Sequence, residues 1–320
     1  MMERRKRIAL VGVGKIALDQ HVPAIMQDSA FELVATVDVR RTLEGIPGFT
    51  DFESLLAANL ELDAVSLCTP PAARHGLARV LLDAGLHVML EKPPAASVSE
   101  AQDLVERAAA CGLTLFATWH SREAAGVGPA RDWLAQREIR SVRVIWKEDI
   151  RRWHPGQSWI LEPGGFGVFD PAVNAFSILT AILPQRLTVR AATLHVPVNR
   201  DAPIAAELDL LYAGTVPVSV DLDFLESGDQ RWEIEVRTDE GTLLLAEGGH
   251  RLLIDGVERL SAEDREYACL YRRFADLIAA SQSDVDLVPL QLVADAFLIG
   301  RHVEAPAFHF ESPAPASKAP

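Results

Sequence analysis

A short apolar run at residues 7–13 ends in Gly12-Val13-Gly14-Lys15-Ile16-Ala17, a string that leaves little freedom in how the chain around it folds. Each small residue in a G-x-G-x-x-A turn has a steric task. Gly12 makes the tight bend, Gly14 removes a Cβ that would block a pyrophosphate, and Ala17 lets the following helix sit close on the sheet. The helix N-terminus then presents unpaired N–H groups to an anion. A second strand-like run at 31–37 delivers Asp38, 26 residues beyond Gly12, to the same edge. A carboxylate there accepts from a ribose 2′-hydroxyl and repels a 2′-phosphate, so NAD is expected in preference to NADP. Arg40 and Arg41 make this a preference and not an exclusion, because a nearby guanidinium accommodates a 2′-phosphate.

The same rhythm continues through the first third. Runs at 7–13, 31–37, 64–69, 87–90 and 113–118 suit buried parallel strands, with helical segments between them. Asp51 is placed to cap a helix to residue 58, a second helix at 72–84 stops at Gly85, and Ser97 with Glu100 resembles a capping box opening a helix to Cys111. Strict alternation implies a Rossmann-type doubly wound parallel sheet with right-handed crossovers. After residue 118 the pattern changes to successive strands at 141–149, 187–195, 207–212, 217–224, 231–237 and 242–246, with a helix at 171–183 and two more at 263–280 and 289–303. That is an α+β domain on a large, mostly antiparallel sheet. The expected division is a dinucleotide-binding domain over 1–120 and a substrate-binding domain over 121–311, whose last helix packs back on the first; a Pro, Ala and Ser tail at 312–320 is expected to be disordered.

Charge and cysteine content exclude several classes of partner. The chain has 31 Lys and Arg against 45 Asp and Glu, a net charge of −14, which repels phosphate backbones and anionic lipid surfaces. Nucleic acid and membrane are therefore not expected as partners. The basic start at residues 1–7 imitates a signal peptide, but Lys15 interrupts the apolar run after it, and no stretch reaches the 18 or so apolar residues of a membrane helix. Cys68, Cys111 and Cys269 are odd in number and widely separated, which reads as buried free thiols in the cytoplasm. There is no G-x-S-x-G, no H-E-x-x-H and no Cys pair at ligand spacing, which argues against a hydrolase or a metalloenzyme.

In an open parallel sheet, ligands lie beyond the carboxyl ends of the strands. Two loops there stand out: Thr69-Pro70-Pro71, a stiff turn against which a cofactor could lie, and Glu91-Lys92-Pro93-Pro94, which presents a charged pair. Farther along, Trp119, Trp133, Trp146, Trp153 and Trp159, five of six tryptophans, fall close together with His120, Glu148, Asp149 and His154. Indole faces edged by hydrogen-bonding groups suit a sugar, although Trp133 and Trp146 read better as core. Period two puts Glu148 on the face of Val144 and Trp146 and Asp149 on the other, so only Glu148 is expected to face a cleft. The stretch Gly164-Gly165-Phe166-Gly167-Val168-Phe169-Asp170-Pro171-Ala172-Val173-Asn174 combines three glycines with an Asp placed to cap the helix that Pro171 begins. Asp170 and Asn174 lie one helical turn apart, on one face.

The GVGKIA turn, the Glu-Lys-Pro at 91–93 and GGFGVFDPAVN resemble the Gfo/Idh/MocA oxidoreductases over about residues 7–310, and the strings LFATWHSR, WKEDIRRWHPGQSW and QRWEIEV place the chain beside that family's bacterial aldose 1-dehydrogenases acting on L-arabinose and D-galactose. The resemblance implies NAD, or NADP, and a cofactor-binding set of Gly12, Gly14, Lys15, Ile16, Asp38, Thr69, Pro70, His75, Glu91 and Lys92. It implies that His120, Glu148, Trp153, His154 and Trp232 bind the sugar, with Lys92, Asp170 and Asn174 catalytic. Most family members carry a His where Asn174 stands; an amide is no base near neutral pH, which transfers proton abstraction to Lys92. A homodimer, or a pair of dimers, on the open face of the second sheet is also implied. Two other readings stay open: a dehydrogenase of another polyol or inositol, and a silent NAD-binding sensor.

Overall fold

The structure, a computed structural model, describes residues 4–310, so the expected tail at 312–320 lies outside the described residues. The chain forms two compact units: residues up to Gly128 with Glu263–Gln291, and Pro129–Ala262 with the residues from Leu292 on. In the first unit six parallel strands, β1 (Lys6–Val11), β2 (Phe31–Val37), β3 (Gly48–Phe49), β4 (Ala64–Leu67), β5 (His87–Glu91) and β6 (Leu115–Thr118), lie in the order β3-β2-β1-β4-β5-β6. The order reverses between β1 and β4, the switch point at which such sheets take ligands.

Both faces of this sheet are covered because successive residues of its strands are apolar and point to opposite faces. Ala9 and Val11 of β1 join one core with Leu55, Leu81, Leu82 and Leu104, beneath α2 (Phe52–Ala57), α3 (Pro71–Asp83) and α4 (Val98–Cys111). Ile8 and Leu10 join the other with Ile25, Tyr271 and Phe274, beneath α1 (Val22–Gln27) and the helix Glu266–Ala280. The caps are those the sequence predicts. Asp51 accepts from Ser54 N at 2.8 Å, and Ser97 Oγ accepts from Glu100 N at 3.2 Å. Glu100 reaches one residue beyond the standard box, accepting from Ala96 N at 3.1 Å.

The chain enters the second unit through α5 (Val127–Leu134), and there β7 (Ile139–Lys147), α6 (Ile150–Trp153), α7 (Phe169–Ile182), β8 (Leu187–Pro197), β9 (Ala205–Tyr212), β10 (Val216–Asp223), β11 (Arg231–Thr238), β12 (Gly241–Ala246), β13 (Arg251–Ile254) and β14 (Val257–Ser261) follow. The helix Glu266–Ala280 is α8, followed by α9 (Val288–Ile299) and β15 (Arg301–Ala305). The nine strands run β14-β13-β12-β11-β7-β10-β9-β8-β15, antiparallel except where β10 meets β7 and β15 meets β8. Val142, Val144 and Trp146 of β7 turn one face of the sheet into the core, as period two requires.

Four expectations need correction. The helix expected to residue 303 stops at Ile299: Gly300 packs against Ala296 and Leu194 with no room for a Cβ, and Arg301–Ala305 pairs instead with Thr193–Pro197. The helix expected from Pro171 begins at Phe169 with Val168 at its N-cap, so Asp170 is a buried first-turn residue and not the cap. Strand β7 ends at Lys147, because Asp149 turns to cap α6 through Arg151 N at 2.8 Å. Finally, Cys111 at the end of α4 is exposed, and Cys68 and Cys269 are half-buried; all three are free. Among the described residues no helix is long and apolar enough to cross a membrane.

Candidate active site

The dinucleotide turn behaves as its residues dictate. Gly12 has φ +87°, and a Cβ there would stand 3.0 Å from Cys68 C and Thr69 N, so the turn is pressed against the end of β4. A Cβ on Gly14 would meet nothing within 4 Å, so no protein atom requires glycine at that position. The approach of a pyrophosphate does, and the residues fit an NAD-type cofactor. Asp38 follows β2 and accepts from Val13 N at 2.8 Å through Oδ2, and from Arg40 N at 2.8 Å and Arg41 N at 3.0 Å through Oδ1. Partial burial pushes the carboxyl up, but these N–H donors from Arg40, Val13 and Arg41 outweigh it and hold it below its ordinary range. A carboxylate offers about four acceptor positions, so Oδ2 retains room for one hydroxyl.

Other residues expected around the cofactor are engaged in different ways. Lys15 pairs with Asp19 one turn along its own helix, and His75 Nε2 meets Asp103 of α4 at 2.7 Å. Thr69 O accepts from Arg74 Nε at 2.7 Å, while the buried Thr69 hydroxyl has no hydrogen-bond partner. Pro70 precedes α3 and is exposed, and Ile16 is half-buried against the β1 core.

At the end of β5, the Glu91 side chain is buried and points into a polar nest that was not foreseen. Glu91 Oε1 accepts from Tyr267 Oη at 2.5 Å and from His21 Nε2 at 3.2 Å, and Oε2 accepts from Lys92 N at 2.7 Å. His21 Nδ1 stands 2.7 Å from Tyr271 Oη, which is 2.9 Å from Ser66 Oγ. Burial opposes charge on both partners. The hydrogen bond and charge of His21, with His120 and Lys92 nearby, nevertheless hold Glu91 far below the usual carboxylate range, and Cys68, Tyr271 and Glu91 raise His21 well above its ordinary value. His120 is half-buried, bonded through Nδ1 to Glu266 Oε2 and stacked on Tyr267 with ring centres 5.4 Å apart.

The second unit gathers the residues expected around a sugar. Trp232 lies opposite Trp146 in the β11–β7 register and donates Nε1 to Glu148 Oε2 at 2.8 Å. His154 Nε2 stands 3.7 Å from both Glu148 Oε1 and Asp170 Oδ2. Trp153 meets Trp232 edge-on with centroids 5.5 Å apart, and Phe224 flanks His154 at 5.7 Å. One turn from Asp170, the buried Asn174 Oδ1 has no hydrogen-bond partner. Glu148 is buried and Trp153 is 37 % exposed, so the cluster has two carboxylates and an imidazole behind an accessible indole. Phe224 and Gln230, which accepts from Trp153 Nε1, were missed; both sit at strand ends whose facing cannot be read without the register.

This is a dinucleotide-binding unit joined to a unit that carries a polar, indole-walled cluster. The family model for the Gfo/Idh/MocA oxidoreductases, an NAD-binding Rossmann fold, matches residues 6–118. Galactose 1-dehydrogenase of Pseudomonas fluorescens is 44% identical over 306 residues, covering 95% of this chain and 98% of that protein. The crystal structure of D-galactose-1-dehydrogenase from Rhizobium etli superposes with a TM-score of 0.92 at 48% identity, covering 97% of this chain and 99% of that one. A 3-ketoreductase from Actinomadura kijaniata in complex with NADP shares the fold, with a TM-score of 0.82 at 19% identity over 95% of this chain. The chain belongs to the Gfo/Idh/MocA family and is an NAD(P)-dependent oxidoreductase acting on CH–OH groups.

Proposed function

We propose that this protein is an aldose 1-dehydrogenase that oxidises the cyclic hemiacetal of D-galactose, D-fucose or L-arabinose to the lactone. The observation that carries the reading is the cluster of Glu148, His154, Asp170 and Trp232, set in a chain alike over nearly its whole length to proteins named for galactose oxidation at C1. Two carboxylate oxygens each 3.7 Å from one imidazole nitrogen are too far apart to bond that nitrogen directly, yet close enough to share a hydroxyl with it. The indole faces of Trp153 and Trp232 suit the C–H face of a pyranose. Asn174 offers its unpaired Oδ1 as a further acceptor.

In this reading Gly12, Gly14, Lys15, Ile16, Asp38, Thr69, Pro70, His75 and Glu91 hold the cofactor, whose nicotinamide supplies the hydride acceptor when bound. Lys92 takes the proton from the C1 hydroxyl, Asp170 and Asn174 orient that hydroxyl, and His120, Glu148, Trp153, His154 and Trp232 hold the rest of the ring. An amide at position 174 cannot take the proton, which leaves Lys92 as the base. The enzyme works in the cytoplasm as a homodimer or pair of dimers. Arg143, Asp209, Leu211, Ser219 and Glu235 line a shallow groove on the sheet face opposite Val144 and Trp146, a surface two copies could share.

Initial rates of nicotinamide reduction test the reading, with D-galactose, D-fucose, L-arabinose, D-glucose and an inositol, each against NAD and NADP. The three sugars differ only at C5, where one apolar group discriminates by about 1–3 kcal/mol. All three should therefore turn over, at least about tenfold faster than the inositol, and NAD should have the higher kcat/KM. An inositol as best substrate would move the activity to another polyol. Cofactor binding without any turnover would make the chain a sensor.

A further inference from the structure

The nest around Glu91 uses no residue that the proposed reaction needs for contact with the sugar, yet it is built to a high standard. The His21, Ser66 and Tyr271 side chains are fully buried, and Glu91 and Tyr267 nearly so. Its side chains form one connected series: His21 Nε2 meets Glu91 Oε1, His21 Nδ1 meets Tyr271 Oη, that hydroxyl meets Ser66 Oγ, and Ser66 donates to Met89 Sδ at 3.5 Å. Tyr267 donates to Glu91 from the other side. A carboxylate buried among polar side chains is seldom the most stable filling of a core, because apolar side chains of equal volume avoid the desolvation. Its presence calls for a reason other than stability.

The reason is legible in what the nest holds. Glu91 Oε2 fixes the main-chain N–H of Lys92. From the opposite side, the buried Arg74 of α3 donates to the carbonyl oxygens of Glu91 and Pro93 and, through Nε, to that of Thr69. The backbone is thereby pinned immediately before, at and after Lys92. The Tyr267 ring also carries His120, stacked on it at 5.4 Å, so one aromatic side chain supports both positions.

Resting on the reading of Lys92 as the base, we propose that His21 and Tyr267 are positioning residues: through the Glu91 carboxylate they set the place from which Lys92 takes the C1 proton. Positioning of this kind acts on turnover more than on binding, since a displacement near 1 Å costs on the order of a hundredfold in rate.

The test uses Tyr267→Phe, His21→Leu and His21→Gln in the full-length protein, with D-galactose and NAD. Tyr267→Phe keeps the ring under His120 and removes only the hydroxyl. It should lower kcat roughly tenfold, with the NAD Kd and the sugar KM within about twofold of wild type. His21→Leu should lower kcat by about a hundredfold, and His21→Gln, whose amide still donates to Glu91, should recover most of it. In a Lys92→Ala background, Tyr267→Phe should change the residual rate by less than about twofold, because residues acting as a unit are not additive. Wild-type kcat in Tyr267→Phe overturns the proposal. So does a loss of kcat matched by equal losses of NAD affinity and thermal midpoint, or a full additional loss in the double variant. The Lys92→Ala single variant separates the two ideas: if it turns over normally the base assignment fails, whereas an inactive Lys92→Ala beside normal His21 and Tyr267 variants removes the positioning role alone.

Discussion

Lys92→Ala should turn over D-galactose about a thousandfold more slowly than the wild type, the range expected when a positioned acid–base group is lost. The main-chain contacts of this segment, Lys92 N on Glu91 and Arg74 on the carbonyls on either side, do not depend on the ammonium group and should survive the substitution. The variant should still melt in one cooperative transition. Lys92→Arg should be nearly as slow, because a guanidinium stays protonated and cannot accept the sugar's proton. Steady-state rates and a thermal melt check both statements, and a Lys92→Ala enzyme within tenfold of wild type would show that another group is the base.

Gly167→Ala should damage the second unit, because it adds a methyl both where the backbone is left-handed and where other backbone atoms already fill the space. Gly167 has φ +54°, which L side chains rarely adopt, and a Cβ there would fall within 3.0 Å of the Pro203 carbonyl oxygen and ring. That oxygen is already bound by Val168 N at 2.7 Å, Gly167 N donates to Ile160 O at 2.8 Å, and Asp170 N donates back to Gly167 O at 3.0 Å. The backbone that must give way is the one that starts α7 and sets Asp170. Overpacking and left-handed strain each cost about 1–3 kcal/mol, so the midpoint should fall by roughly 5–10 °C and the sugar KM should rise at least about tenfold. Gly76→Ala is the control: it lies within α3, a Cβ there would meet nothing within 4 Å, and helix propensity alone predicts no loss. Equal melting and KM for both variants would remove the steric argument.

Much of this arrangement was legible because the chemistry is local. The turn at Gly12 to Ala17, the caps at Asp51 and Ser97, and the alternation that aims Glu148 rather than Asp149 inward all follow from residues within a few positions of one another. The Asp255-Gly256 hairpin between β13 and β14 is equally local: both residues have positive φ and the dipeptide is a standard two-residue turn, but the strands beside it are too short for their alternation to stand out in the sequence. Other features depend on distance along the chain. Tyr267 and Tyr271 meet Glu91, His21 and Ser66 from more than 170 residues away, and in sequence they are ordinary apolar-face positions of an amphipathic helix. Asp170 looked like a cap because Pro171 is a favoured first residue of a helix; an earlier start at Phe169 leaves its carboxylate for His154. Gly300 ended the last helix because Leu194 and the Ala296 carbonyl leave no room for a side chain, which residues 289–303 alone do not reveal.

The most direct measurement follows deuterium. With D-galactose labelled at C1 and oxidised NAD, the isotope should appear at C4 of the reduced nicotinamide by NMR, the carbohydrate product should be the unlabelled lactone, and the turnover rate should show a primary isotope effect in a pre-steady-state burst. Deuterium retained at C1 of the recovered sugar product, with hydrogen delivered to the nicotinamide from another carbon, would contradict oxidation at the anomeric centre.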